Sequence, residues 1–129
     1  MDGLMNAMRE PVVSLGLAGG ASVRLIDAVI DTGFTGWLTL PPDVVADMDL
    51  SSAGISYGVL ADGREVALDT YYVTVMLEGE PRRVIAQVAP PPALAGMELF
   101  DGDVICIEDS PGGAVTIQPN EDHRPPGSQ

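Results

Sequence analysis

The sequence predicts an all-β domain that closes, or nearly closes, into a small barrel. Short apolar segments separated by turn residues dominate the 129-residue chain, long helical periodicity is absent, and strand-like runs recur at close spacing. The length suits one domain with a real core, and mean hydropathy of +0.20 fits a globular body. Aromatic residues make up only 5% of the chain, so that core must be built mainly from Val, Ile, Leu, Met and Ala.

Residues 1–9 read as a flexible N-terminus. The first strand is Pro11 to Leu17, where Val13, Leu15 and Leu17 share one face at period two. Ala18-Gly19-Gly20 turns the chain into a second strand, Ser22 to Ile30. Trp37 to Leu40 is the third, ended by Pro41-Pro42-Asp43, which can open a single helical turn over Val44 to Met48. Ile55 to Leu60, Ala61-Asp62-Gly63 and Arg64 to Leu77 form a long β-hairpin, Asp-Gly being a strong hairpin signal. A second hairpin runs through Glu78-Gly79-Glu80-Pro81 into Arg83 to Val88. Ala93 to Phe100 reads as the one short helix besides the turn near Val44. Two closing strands, Val104 to Ile107 and Ala114 to Ile117, flank Ser110-Pro111-Gly112-Gly113. The domain is placed at residues 10–118, and residues 119–129 read as a disordered polar tail. An immunoglobulin-like sandwich is the structural alternative, but the Cys and Trp framework of that fold is missing.

Composition excludes several function classes. Six Arg and no Lys face 19 acids, a formal charge of −13, so nothing here neutralises a run of phosphates or an anionic membrane surface. Neither nucleic acid nor membrane is expected as a partner. The acidity itself reads first as a solubility device. Cys106 is alone, which removes disulfides and cysteine metal clusters, and its apolar neighbours predict a small buried hydrophobe. His123, the only histidine, falls in the polar tail, so Ser-His and Cys-His nucleophile systems and a zinc site are not expected. No metal and no cofactor are predicted. Met1 to Met8 carries no basic leader and no sustained apolar stretch, which predicts a cytoplasmic location.

One feature carries chemistry. Asp31-Thr32-Gly33 follows the apolar run Ala28-Val29-Ile30 and precedes Phe34-Thr35-Gly36-Trp37-Leu38-Thr39-Leu40-Pro41. A carboxylate brought by a strand into a Gly-containing turn, with hydrophobic strand on both sides, is held where burial and a neighbour can tune it. The same Asp31 also suits a plainer role, capping backbone amides in the turn. Trp37 reads as core or dimer packing before a substrate platform, and Tyr57, Tyr71 and Tyr72 as strand residues.

On these residues the chain resembles the retropepsin-like aspartic proteases, in particular small bacterial members with a D-T-G-F-x-G-x-L-x-L-P signature. Residues 31–41 fit that signature throughout, and Leu94-Ala95-Gly96-Met97-Glu98-Leu99-Phe100 fits the family's second hallmark: apolar residues and a Gly before a short helix. The resemblance covers roughly residues 10 to 118. It implies a closed acid-protease barrel with one short helix, assembled as a homodimer because the chain has a single D-T-G. Asp31 from each chain would form the catalytic pair: one carboxyl takes a proton from water while the other gives one to the scissile amide. Thr32 would bond across the two-fold axis, Gly33 would let substrate backbone approach, and Gly96 would support the catalytic loop from behind. Leu60, Ala61, Asp62 and Gly63 would form the flap over a peptide or protein substrate.

The chain departs from the viral members in informative places. They carry two acids at the positions of Thr35 and Gly36 and an Arg at Met97, groups that pair with each other; here both ends of that pair are replaced together. The flap stretch is less Gly-rich, and Leu94-Ala95 is less bulky than the usual Leu-Leu. The predicted function is an aspartic endopeptidase. The alternative is a catalytically silent relative that uses the same barrel as a peptide-binding or dimerisation module. In a third reading D-T-G is chance on an unrelated barrel, and the two hallmark loops would then not meet.

Overall fold

The computed structural model describes residues 1–59, 62–77 and 79–120. Within these residues ten strands and one helix follow in order: β1 (Asp2–Met5), β2 (Pro11–Gly19), β3 (Ser22–Ile30), β4 (Leu38–Leu40), α1 (Pro42–Met48), β5 (Ser52–Val59), β6 (Glu65–Leu77), β7 (Glu80–Val88), β8 (Ala93–Ala95), β9 (Asp103–Ile107) and β10 (Ala114–Pro119). They form one sheet in the order β5-β6-β7-β4-β8-β3-β2-β1-β10-β9. A further pairing of β6 with β2, through Gly16↔Met76, Leu17↔Val75 and Ala18↔Thr74, joins the sheet to itself. The ring β2-β3-β8-β4-β7-β6 is therefore a closed six-stranded barrel.

Alternation along the strands explains what fills it. Val13, Leu15 and Leu17 of β2 point inward, and Ala28 and Ile30 of β3, Val73, Val75 and Leu77 of β6, and Val84 and Ala86 of β7 meet them. All three residues of β4 are buried. Each fully buried aliphatic side chain is worth on the order of 1.5–3 kcal/mol over exposure, so this interior, and not polar contacts, holds the barrel together. The predicted strands are all present.

Four local expectations change. The segment expected as a flexible N-terminus contains β1, which pairs with β2 (Gly3↔Val13) and β10 (Gly3↔Val115) and buries Met5. Gly3 makes that close sandwich possible, since a Cβ there would run into the Val12 carbonyl. The helix expected over Ala93–Phe100 is instead strand β8 followed by successive tight turns, in which the N–H groups of Leu99, Phe100 and Asp101 donate to carbonyls three residues back. Ala93 and Ala95 are small enough to lie buried between two other strands, which a helix at that place would forbid. The helix lies at α1, with Pro42 in its first turn, Asp43 near its positive end, and Asp49 closing it in the left-handed conformation (φ 52). Cys106 is exposed on β9 and is not a core residue, because Ile105 takes the half-buried side of that strand. Of the tail expected to be disordered from residue 119, Pro119 instead ends β10 opposite Asp103 and the Asn120 N–H donates to the Gly102 carbonyl at 2.9 Å, while residues 121–129 lie outside the described residues. Among the described residues no helix is long and apolar enough to cross a membrane.

The β9–β10 hairpin is tied to the barrel by Arg82 of β7. Its guanidinium donates to the Leu99 carbonyl at 2.8 Å and lies 3.6 Å from Asp103, whose side chain is 8% exposed. Burial pushes the Asp103 carboxyl above the usual carboxylate range, while the Arg82 charge and, more weakly, the Met1 amine pull it back. A carboxyl raised on folding binds its proton more tightly in the folded state, so its stabilising contribution is present at low pH and fades as pH rises through the folded value. Relative to Asp103→Asn, the wild-type chain should therefore lose stability as pH rises from about 3 to about 7. Urea unfolding of both proteins across that range checks the sign.

Candidate active site

Asp31 is the first residue beyond β3, and the backbone around it is fully engaged. Its N–H donates to the Ala95 carbonyl at 3.0 Å, its carbonyl accepts from Phe34 at 3.1 Å, and its Oδ1 accepts from the Gly33 N–H at 2.9 Å. The side chain is half-buried, and Oδ2 has no hydrogen bond to any described residue. One oxygen thus orients the carboxyl and the other remains available. The turn-capping role expected of Asp31 is thus met through Oδ1.

The second loop docks directly on the first. Gly96 N–H donates to Trp37 carbonyl at 2.9 Å, Met97 N–H to Phe34 at 2.9 Å, and Glu98 N–H to Gly36 at 3.2 Å. β8 enters between β3 and β4, parallel to one (Ile30↔Ala95) and antiparallel to the other (Leu38↔Ala95). Gly96 is required by this approach: a Cβ there would meet the Gly36 carbonyl and stand 2.7 Å from the Phe34 ring. Gly36 is pinned in the same way, with Phe34 ring atoms 2.7 and 2.8 Å from where its Cβ would be. The two hallmark loops meet, contrary to the reading of an unrelated barrel in which they would not.

The other predicted positions are distributed as follows. Thr32 and Gly33 are exposed at the tip of the Asp31 loop; a Cβ on Gly33 would touch only Asp31 Oδ1, at 3.3 Å. Asp62 and Gly63 lie at the end of the β5–β6 hairpin, with Gly63 at φ 87. Asp62 binds the Arg64 side chain at 2.6 Å and its N–H at 3.1 Å, so it acts as a turn former. Leu60 and Ala61 of the expected flap lie outside the described residues. Among the described residues no hydrogen bond joins the hairpin tip to the Asp31 loop. Trp37 and Met97 are partly buried against the core. An apolar contact therefore stands at Met97, where the viral pattern has a charge. No group of three or more His, Cys, Asp or Glu among the described residues is placed to hold a metal ion.

Sequence reasoning missed Thr39. It is buried between Leu38 and Leu40, and its hydroxyl accepts the Leu94 N–H at 2.9 Å. That bond ties β8 to β4 beside the Leu38↔Ala95 pair. The signal was available: a hydroxyl amid a short, wholly apolar strand needs a partner when buried.

Among solved structures, the fold is similar to that of the EIAV protease complexed with the inhibitor HBY-793, with a TM-score of 0.56 and 16% identity, covering 74% of this chain and 89% of that one. The fold is retropepsin-like. No protein-family model matches the chain, and no curated protein does.

Substitutions at two positions separate the constraints at this site. Gly96→Ala should cost about 1–3 kcal/mol through overpacking against backbone that cannot yield. Thr39→Val should cost a similar amount, about 1–3 kcal/mol, by leaving the Leu94 N–H buried without an acceptor, whereas Thr39→Ser should retain most of the stability. Denaturant midpoints at constant slope read both.

Proposed function

We propose that the protein is an aspartic endopeptidase acting as a homodimer, with Asp31 of each chain supplying half of a catalytic carboxyl pair. The observation that carries this reading is the docking of the Asp31-Thr32-Gly33 loop on the Gly96 turn, within a fold similar to a protease bound to its inhibitor. A chain with one such loop has half a site, and a two-fold axis through the loop tips supplies the other half.

In this reading the exposed tip, Thr32-Gly33, is the part that meets its copy. Thr32 is free to bond across the axis, and Gly33 leaves room for substrate backbone. With Oδ1 held by the Gly33 N–H, Oδ2 addresses the water that attacks the scissile carbonyl. One carboxyl of the pair accepts the proton of that water as the C–O bond forms. The other donates a proton to the amide nitrogen as the C–N bond breaks. The β5–β6 hairpin closes over the peptide and excludes bulk water.

Asp31→Asn should abolish cleavage of an extended peptide while leaving fold and association intact, and EDTA should not change the rate. A variant with wild-type turnover would remove Asp31 from the mechanism. If neither protein cleaves but both bind peptide equally, the barrel is a peptide-binding module.

Specific activity should also fall as the enzyme is diluted, because each site needs two chains. Paired activity and sedimentation measurements decide this: constant specific activity where only monomer sediments contradicts a shared site.

A further inference from the structure

The β5–β6 hairpin presents an open face whose chemistry the catalytic reading leaves unused. Side chains alternate along β6, so Glu65, Ala67 and Asp69 share a face with Tyr71, Val73, Val75 and Leu77. The last three fill the barrel; the first three run past its rim into solvent. β5 adds Ile55 opposite Asp69, Tyr57 opposite Ala67 and Val59 opposite Glu65. Those three are 62%, 75% and 71% exposed, an apolar row on a two-stranded ribbon with nothing against it among the described residues.

We propose that this face binds an extended peptide through an apolar side chain flanked by basic ones, with Glu65 and Asp69 as the specificity-determining residues. The proposal rests on the endopeptidase reading and names the substrate class for it. Glu65 and Asp69 stand four residues apart, about 14 Å along the strand, so a peptide strand laid along β6 meets them with residues four positions apart. The residue midway faces Ala67 and Tyr57, where the small Ala67 leaves room for an apolar side chain.

Charge complementarity selects this occupant over a second copy of the chain. Each Arg among the described residues is already engaged: Arg9 with Asp109, Arg24 with Asp47, Arg64 with Asp62, Arg82 with Asp103, and Arg83 over the Tyr72 ring at 4.3 Å. A second copy carries the same formal charge of −13 and would add far more carboxylates than cations around Glu65 and Asp69, whereas a basic peptide neutralises them.

The test uses the full chain carrying Asp31→Asn, so that binding is read without turnover. Two end-blocked peptides, Lys-Thr-Leu-Thr-Lys and Glu-Thr-Leu-Thr-Glu, are titrated by fluorescence anisotropy at low salt. The basic peptide should bind about tenfold more tightly, and Glu65→Gln or Asp69→Asn should each reduce that ratio about threefold, the size expected for exposed ion pairs. Tyr57→Ala should weaken the basic peptide without changing the ratio. Equal binding of the two peptides, or a ratio untouched by the double Glu65→Gln, Asp69→Asn variant, overturns the proposal. So does a Tyr57→Ala variant that alters the sedimenting species and leaves peptide binding unchanged, since the face would then belong to a second copy. Charge-selective binding by a wild-type chain that cleaves nothing sinks the endopeptidase reading alone. Cleavage without charge preference sinks only this one.

Discussion

The close approach of the Gly96 turn to the Gly36 backbone is the contact on which the rest depends. Four backbone hydrogen bonds cross it: Asp31 to Ala95, Gly96 to Trp37, Met97 to Phe34 and Glu98 to Gly36. They form only because neither glycine carries a Cβ into the other loop or into the Phe34 ring. The same contact seats β8 between β3 and β4, and without that three-residue strand the ring of six would be open. Barrel closure and orientation of Asp31 are therefore one event. A carboxyl placed on a loop would normally be mobile; here its loop is part of the seam that closes the core.

The elements that were legible in the sequence are those whose burial follows a simple period. β2 alternates apolar residues inward, and the β5–β6 hairpin announces itself through Asp62-Gly63. The Asp31 loop was legible because a polar turn stands abruptly between two apolar strands. β8 was not, since Ala93-Leu94-Ala95 before a glycine has helical propensity, and only its seat between two strands overrides that preference. β1 was hidden for a related reason: four residues with one glycine have too little pattern, and their pairing comes from distant β10. Cys106 misled because a run such as Val104-Ile105-Cys106-Ile107 suggests burial on both faces, whereas β9 is an edge strand with one side open.

Polar contacts contribute mostly placement. The pairs Arg9–Asp109, Arg24–Asp47 and Arg64–Asp62 are between exposed side chains and are worth little individually. The pair of Arg82 with Asp103 is different in kind, since the buried carboxyl is costly to charge and Arg82 offsets part of that cost while also binding the Leu99 carbonyl. That places a single arginine between the β9–β10 hairpin and the turn that follows Gly96. Disturbing it would reach the Asp31 loop through the chain from Leu99 back to Met97.

The chain divides between a well-filled ring and a ribbon that outruns it. Inside the barrel, β6 is flanked by β7 and β2 and buries alternate residues; beyond the rim, over Glu65 to Asp69, its pairing partner among the described residues is β5. A two-stranded ribbon with an open apolar face is the least stable part of such a sheet, and local opening concentrates there. The bulge between Ser52 and Gly54 lies at the root of this ribbon, where Gly54 adopts φ 101 and its carbonyl accepts the Thr70 hydroxyl at 2.9 Å. The root is thus fixed by a buried side chain, and near the tip Asp62 pairs locally with Arg64. In the proposed endopeptidase, a hairpin that extends past the rim can move over a peptide without the barrel having to open.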